Sequence, residues 1–147
     1  MSEKRRRLEL PSLYTLCIGC VANHSTALLS LTELPEAVLV DLYRACFSSG
    51  PVANAWLATF ALFVTSNLAT YDLTKWRRPH DVGEACMILA TEGSCGKLTL
   101  PACTSAEDIM VLCSGSLKLT EFAVHSYNFD ASCLRALCQR WGSSLQR

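Results

Sequence analysis

An excess of charge of either sign is missing from this chain, because 13 lysines and arginines balance 13 aspartates and glutamates. A chain of zero net charge has no general electrostatic attraction for nucleic acid, and we predict that it binds none. The sequence also lacks a phosphate-binding loop, a G-x-S-x-G turn and an H-E-x-x-H helix. We therefore predict no catalytic residues, no metal site and no cofactor, and we do not expect an enzyme.

Glycine is scarce, at 7 of 147 residues, and the cysteine count of nine is odd. Secreted disulfide scaffolds are usually shorter, richer in glycine and even in cysteine number. Most of the cysteines stand among apolar neighbours, as small buried hydrophobes do in a reducing compartment; these are Cys17, Cys20, Cys46, Cys86, Cys113, Cys133 and Cys138. The pattern predicts an intracellular protein, in the cytoplasm, the nucleus or both.

A long apolar run is also absent. Residues 45–71 carry no charge, but their densest apolar part, 52–64, is only 13 residues long, too short to span ~30 Å of hydrocarbon at ~1.5 Å per residue. The basic run at 4–7 precedes an apolar stretch, as in a signal peptide, but Glu9 and Pro11 interrupt it and no small-x-small cleavage site follows. We predict no membrane segment and assign 1–11 to a disordered basic tail, with an import role for 4–7 left open.

The first predicted helix begins after Ser12, whose hydroxyl can cap it, and runs to about position 31. Leu13, Cys17 and Val21 follow one another at four-residue steps, which places all three on one face. Gly19 inside this helix costs about 1 kcal/mol relative to alanine. Either tertiary packing outweighs that cost or a partner backbone approaches the helix there.

Two further helices are expected before position 69. The second starts near Glu33, with Pro35 in its first turn, and ends at Gly50-Pro51. The third covers about 52–67 and is apolar on nearly all sides, so we expect it to be sandwiched. Residues 12–69 are thus predicted to be a helical unit, and 70–96 a connector with one short helix at about 81–91.

From position 97 onward, short alternating strands are each followed by an amphipathic run. The junctions repeat as well, since Leu117 and Leu145 follow similar Gly-Ser segments 28 residues apart. A strand-plus-helix unit with this period matches the leucine-rich repeat, L-x-x-L-x-L-x-x-N/C-x-L. One unit places Leu98, Leu100 and Cys103 at its second, third and Asn/Cys positions, and the next places Leu119, Phe122, Val124, Tyr127 and Phe129 along the template.

The expected fold is mostly α with short β: an N-terminal helical unit followed by the start of a leucine-rich-repeat (α/β) solenoid over 97–147. About two repeats are present, whereas a stable array normally needs at least three. We therefore expect the chain to be a fragment or a short variant of a longer repeat protein.

Cys17-x-x-Cys20 has the spacing of a redox motif, but a thioredoxin-like pair lies at a helix N-terminus just after a strand. Here the predicted helix starts a full turn earlier and no strand precedes it. No second C-x-x-C pair or suitably spaced histidine completes a zinc site. An enzyme with a reactive cysteine stays open as a minor alternative, and it predicts a thiol that labels quickly at neutral pH.

Two short motifs add a family resemblance. Ser12-Leu13-x-x-x-Cys17-x-x-x-Val21 resembles the elongin-BC box, and Leu34-Pro35-x-x-Val38-x-x-x-Leu42 resembles the cullin box that follows it. With the C-terminal repeats, this arrangement is similar to leucine-rich-repeat substrate receptors of cullin-RING ubiquitin ligases. Together the two ends cover about two-thirds of the chain.

The resemblance implies an adaptor that recruits elongin B/C and a cullin scaffold and presents a protein substrate on the repeats. Elongin binding would involve Leu13, Cys17 and Val21 as contacts, with Leu16 and Cys20 holding the helix on its neighbours. Cullin binding would involve Leu34, Pro35 and Val38.

The alternative is a leucine-rich-repeat scaffold without a ligase role, in which the N-terminal helices only cap the solenoid. In that case Leu13, Cys17 and Val21 would be buried within the chain. Docking instead requires Leu13 and Cys17 to be accessible to solvent, so their exposure separates the two interpretations.

Overall fold

A computed structural model gives the fold and describes residues 12–24, 31, 33–48, 50–51, 56–66, 68–93, 96–115, 117–124 and 131–142. Its elements are α1 (Leu13–Asn23), α2 (Glu36–Phe47), α3 (Trp56–Thr65), β1 (Thr70–Asp72), α4 (Pro79–Glu92), β2 (Lys97–Leu100), α5 (Ala106–Ser114), β3 (Glu121–Val124) and α6 (Ala131–Trp141). The prediction of a mostly helical chain with short strands is confirmed. The predictions for 1–11, Tyr127, Phe129 and Leu145 lie outside the described residues.

The three strands form one parallel sheet in the order β1-β2-β3. Leu98 pairs with Phe122 and Leu100 with Val124. Parallel neighbours require a crossover between them, and α4 and α5 supply the two crossovers. β1 and β2 are therefore each followed by a helix that returns the chain to the start of the next strand.

A strand precedes the two units found in the sequence. β1 pairs in register with β2, with Tyr71 opposite Leu98, and Leu73 N–H donates to the Thr99 carbonyl at 2.9 Å. Leu68, Tyr71, Leu73 and Trp76 stand at the spacing of the first, second, third and Asn/Cys positions of the repeat template. The segment 70–96, predicted as a connector, thus contains a strand and a helix of 14 residues.

An aromatic cluster joins α2 and α3 to this first strand. Its rings lie with neighbouring centroids between 5.3 and 6.4 Å apart, and most pairs meet edge to face or tilted, the favoured geometries. The members are Tyr43, Phe47, Trp56, Phe60, Phe63, Tyr71 and Trp76. The same buried cluster continues through Leu98, Leu100 and Ile109 into the C-terminal part. One continuous core therefore underlies both predicted regions.

The helix boundaries differ from the predictions. α1 ends at Asn23, with the His24 N–H donating to the Val21 carbonyl at 3.1 Å, and Leu31 is not helical. α2 begins at Glu36 with Pro35 as its N-cap residue, three positions after the predicted start. The apolar pattern continued past the end of α1 because Leu31, outside the helix, is also buried in the core.

The prediction that α3 is sandwiched is wrong. Trp56, Phe60 and Phe63 are buried against α2 and the sheet, but Leu57 on the opposite side is 40% exposed. The uniformly apolar composition of α3 gave no information about which side would face the solvent.

The described cysteines divide into three groups, since Cys103 and Cys113 are partly buried and the others are either buried or exposed. Cys46, Cys86 and Cys133 are buried, as predicted, and burial raises the pKa of the Cys86 thiol. The prediction is wrong for Cys17, Cys20 and Cys138, which are exposed.

Within the described ranges, no helix has both the length and the apolar character needed to cross a membrane. The same ranges contain no group of three or more histidine, cysteine, aspartate and glutamate side chains that could hold a metal ion.

Candidate protein-docking surface

The candidate surface is built on α1, whose start is fixed by a local cap. Ser12 has an extended backbone, and its side chain accepts a hydrogen bond from Thr15 N–H at 3.2 Å. Such a cap satisfies one of the amide groups that have no partner inside the first turn, and it contributes about 1 kcal/mol. Leu13 is consequently the first residue of the helix, at the end that projects into solvent.

A single stripe on α1 faces the rest of the protein. Ile18 and Ala22 are partly buried and pack against the core. One turn earlier, the Tyr14 hydroxyl donates to Oδ2 of Asp41 on α2 at 2.7 Å. This hydrogen bond, together with desolvation and the Asp41 charge, raises the pKa of Tyr14 and keeps the phenol protonated as a donor. Tyr14, Ile18 and Ala22 follow one another at four-residue steps, as residues on one helical face do.

The helix is not held in the way the resemblance implied. Leu16 is 56% exposed and Cys20 is exposed, so neither packs against a neighbouring element. The anchoring stripe of Tyr14, Ile18 and Ala22 takes that role instead. The sequence does contain this second four-residue series, but it cannot show which of two apolar faces points inward.

The docking ridge, defined as Leu13, Cys17 and Val21, lies on the accessible side of α1. Leu13 is 78% exposed, Val21 is 39% exposed and Cys17 is exposed. No residue of α1 is fully buried. An apolar helix face that its own protein leaves in water is typical of a surface that another protein covers.

A groove lies beside the docking ridge and has a volume of about 630 Å³. On the α1 side it is lined by Tyr14, Cys17, Ile18 and Val21. On the α2 side it is lined by Leu31, Glu33, Leu34, Val38 and Leu42. The structure thus brings Cys17 and Val21 together with Leu34 and Val38, although the resemblance assigned the two pairs to different partners. Pro35 is exposed at the start of α2, and Leu13, Leu16 and Cys20 lie outside the groove lining.

Gly19 has space around it. A Cβ atom built on this residue would meet no heavy atom within 4 Å outside its own helical turns and chain neighbours. Internal packing therefore does not require glycine here. Both explanations for its presence, compensation by tertiary packing and the close approach of a partner backbone, stay open.

The open face of the sheet is a second accessible surface. Side chains alternate along each strand, and Tyr71 and Leu98 point into the core while Thr70, Asp72 and Lys97 are exposed. Lys97 and Glu121 form an ion pair across β2 and β3 at 3.2 Å, with both side chains about half exposed. Such a surface pair is worth little to stability, and together with Thr70 and Asp72 it makes the exposed face of the sheet polar.

Comparisons with protein-family models, with curated proteins and with solved structures found no match for this chain.

Proposed function

We propose that this protein is an interaction adaptor and acts as a substrate-recognition subunit of an elongin–cullin–RING ubiquitin ligase. In this proposal the docking ridge binds elongin C, and residues at the start of α2 contact the cullin. The exposed sheet surface of a leucine-rich-repeat solenoid would receive the protein substrate. The observation that carries the proposal is the exposure of Leu13 and Cys17, since internal capping would require them to be buried.

The arrangement of α1 supports the proposal in a second way. The face of α1 that carries Tyr14, Ile18 and Ala22 packs against α2 and the core. The docking ridge is therefore held in place before any partner binds. A helix that is already ordered loses little conformational entropy on binding. The groove beside it offers room for apolar side chains of a partner next to Cys17 and Val21.

The repeat architecture is supported by equivalent hydrogen bonds in successive units. Just before β2, Gly96 N–H and Lys97 N–H both donate to the Ala69 carbonyl. At the equivalent place before β3, Thr120 N–H and Glu121 N–H both donate to the Gly96 carbonyl. Equivalent contacts between neighbours are the basis of a solenoid.

A scaffold without a ligase role is the second candidate, and the aromatic cluster favours it. α2 and α3 cover the first strand with buried rings such as Phe47 and Phe60, which is what a capping unit does. This capping role explains the burial of α2 and α3, but it does not explain why the docking ridge of α1 is exposed. The two candidates therefore differ in whether α1 binds a partner.

Binding of purified elongin B/C, measured by calorimetry, tests the proposal. Covering a leucine side chain stabilises a complex by about 1.5–3 kcal/mol, so Leu13→Ser should weaken binding by about 10- to 100-fold. Leu134→Ser is the matched control, because Leu134 is also a well-exposed leucine but lies on α6. It should change the affinity by less than about twofold.

Leu13→Pro is a useful second variant, because proline is tolerated at the first residue of a helix, where the N–H that it lacks has no partner within the helix, and it replaces the leucine side chain. Cys17→Phe should weaken binding by obstructing the ridge in its middle. Wild-type protein that does not bind elongin B/C would refute the ligase proposal and leave the scaffold candidate.

The cullin step is tested on the assembled elongin complex. Pro35→Ala should reduce cullin capture without changing the affinity for elongin B/C, because Pro35 is exposed at the start of α2 and does not line the groove beside the docking ridge. Equal loss of both steps would show that Pro35 belongs to the elongin interface.

A further inference from the structure

The first strand of the sheet has a free edge. In the sheet order β1-β2-β3, β1 has β2 as its neighbour, and no other described strand pairs with it. The Ala69 carbonyl accepts from Lys97 N–H at 3.0 Å, and Leu73 N–H donates to the Thr99 carbonyl at 2.9 Å. In a parallel ladder, alternate residues direct both backbone groups to the same neighbour. The N–H and C=O groups of Thr70 and Asp72 therefore point away from β2.

A groove of about 620 Å³ runs along this edge. Thr70 and Asp72 line one side, and Val40 and Arg44 of α2 line the other. The volume is within the range of pockets that hold small ligands and short segments. We call this feature the β1 edge groove. It lies beside a different part of α2 from the groove next to the docking ridge, which is lined by Val38 and Leu42.

The backbone groups define what the β1 edge groove can bind. An unpaired strand edge presents alternating donors and acceptors, and another extended chain is the molecule that satisfies them in order. Natural proteins usually block such an edge with charges, proline or a covering element. Here α2 lies beside the edge, and the β1 edge groove separates the two.

The charges at the groove favour an acidic strand. Arg44 and Lys75 both line it and are exposed, and neither makes an ion pair within the described part of the chain. The carboxylate of Asp72 is engaged locally, since its Oδ1 accepts from the N–H of Thr74 at 2.9 Å and from the Thr74 hydroxyl. Carboxylates in a bound peptide would complement Arg44, which can hold them through two parallel hydrogen bonds.

We propose that the β1 edge groove binds an extended acidic peptide from a partner protein, which adds to the sheet as a fourth strand beside β1. The backbone of Thr70 and Asp72 supplies the pairing groups, and Arg44 and Lys75 select acidic side chains. The proposal does not depend on elongin binding, because α1 takes no part in this groove.

Fluorescence anisotropy with a labelled eight-residue peptide of alternating valine and glutamate tests the site on the full chain. Two further peptides carry N-methyl groups on alternate amides, one on the odd and one on the even positions. A strand uses every second amide to pair with its neighbour. One methylated peptide should therefore lose binding by at least about tenfold and the other should bind like the parent.

Two protein variants test the two parts of the proposal. Thr70→Pro removes a donor on the free edge, where proline is tolerated in sheets, and should weaken binding by at least about tenfold. Arg44→Glu should weaken binding of the glutamate peptide and strengthen binding of a peptide with lysine in place of glutamate. Arg77→Glu is the matched control, because Arg77 is exposed, makes the same change in net charge and does not line the groove.

Several outcomes would overturn the proposal. These are no binding of the glutamate peptide by wild-type protein, equal binding of both methylated peptides, or equal effects of Arg44→Glu and Arg77→Glu. A concentration-dependent dimer that Thr70→Pro abolishes would also overturn it, because a second copy of the chain would then occupy the edge. If Thr70→Pro lowers the unfolding midpoint strongly, Arg44→Glu and the methylated peptides still decide the question.

Discussion

Replacing Trp76 by phenylalanine tests whether α2, α3 and the sheet unfold as one unit. Trp76 is buried, and its ring centroid lies 5.6 Å from that of Trp56 and 5.8 Å from that of Phe60. Its Nε1 donates to the Phe47 carbonyl at 2.8 Å. The residue therefore contacts both helices from a position just after β1. Its replacement should destabilise both the predicted helical unit, which ends at position 69, and the sheet that follows it.

The size of the effect follows from these contacts. Phenylalanine keeps an aromatic ring in the cluster but loses the indole hydrogen bond, which contributes about 1 kcal/mol. The Phe47 carbonyl still accepts from Gly50 N–H at 3.1 Å, so it is not left without a donor. The smaller ring leaves a small cavity at a further cost of about 1–2 kcal/mol. We expect the free energy of unfolding to fall by about 2–3 kcal/mol.

The assay is urea unfolding, followed by circular dichroism and by tryptophan fluorescence. In a Trp56→Phe/Trp76→Phe double variant, Trp141 is the remaining tryptophan of the three in the chain, and it reports from α6 beside Phe122. A single cooperative core predicts that the Trp141 signal and the circular dichroism change together, at a midpoint lower than in Trp56→Phe alone. Two separate unfolding transitions, of which the substitution lowers the midpoint of only one, would refute the idea of a shared core.

Three further predictions concern glycine, thiol exposure and pH. Gly19→Ala should raise the free energy of unfolding by about 0.5–1 kcal/mol, because the added Cβ meets no other atom. Gly115→Ala should lower the free energy of unfolding by about 1–3 kcal/mol, because the added Cβ would lie 2.2 Å from the Ala90 carbonyl oxygen. Thermal unfolding of both variants measures this, and an equal loss of stability in both would contradict it. Cys17, Cys20 and Cys138 should react with a maleimide in native protein while Cys46, Cys86 and Cys133 react only after unfolding, and peptide mass spectrometry distinguishes them. Burial raises the pKa of the Cys86 thiol above its unfolded value. Below about pH 8.5 the thiol is neutral in both the folded and the unfolded state, so its contribution to stability is fully present. As the pH rises toward the folded pKa, the thiol ionises in the unfolded state only, and the free energy of unfolding falls. Stability curves of wild type and Cys86→Ala should therefore diverge only above about pH 8.5, and a divergence near pH 6 would contradict the assignment.

The features that the sequence predicted correctly depend on neighbours along the chain. Ser12 caps the following turn through its own hydroxyl, so the start of α1 was predictable from a single residue type. The short alternating strands predicted after position 97 are likewise present, as β2 and β3. Period and capping are local properties, and they also sufficed to predict a mostly helical chain with short strands.

β1 illustrates where local signals were insufficient. Its three residues, with Tyr71 as the only buried one, are too few to show an alternating pattern. The strand exists because β2 offers a paired edge and α2 and α3 cover Tyr71 with aromatic rings. Such contacts join residues far apart in the chain, so no window along the sequence contains them.

The sequence by itself determined that α1 carries Leu13, Cys17 and Val21 on one face, because helical geometry fixes their spacing. It did not determine whether that face is buried, since α1 has a second apolar series in Tyr14, Ile18 and Ala22. Only the packing of α1 on α2, with Tyr14 bonded to Asp41, decided which series faces the core and which remains in solvent. The free edge of β1 was decided in the same way, because whether a strand has a neighbour depends on where the rest of the chain folds.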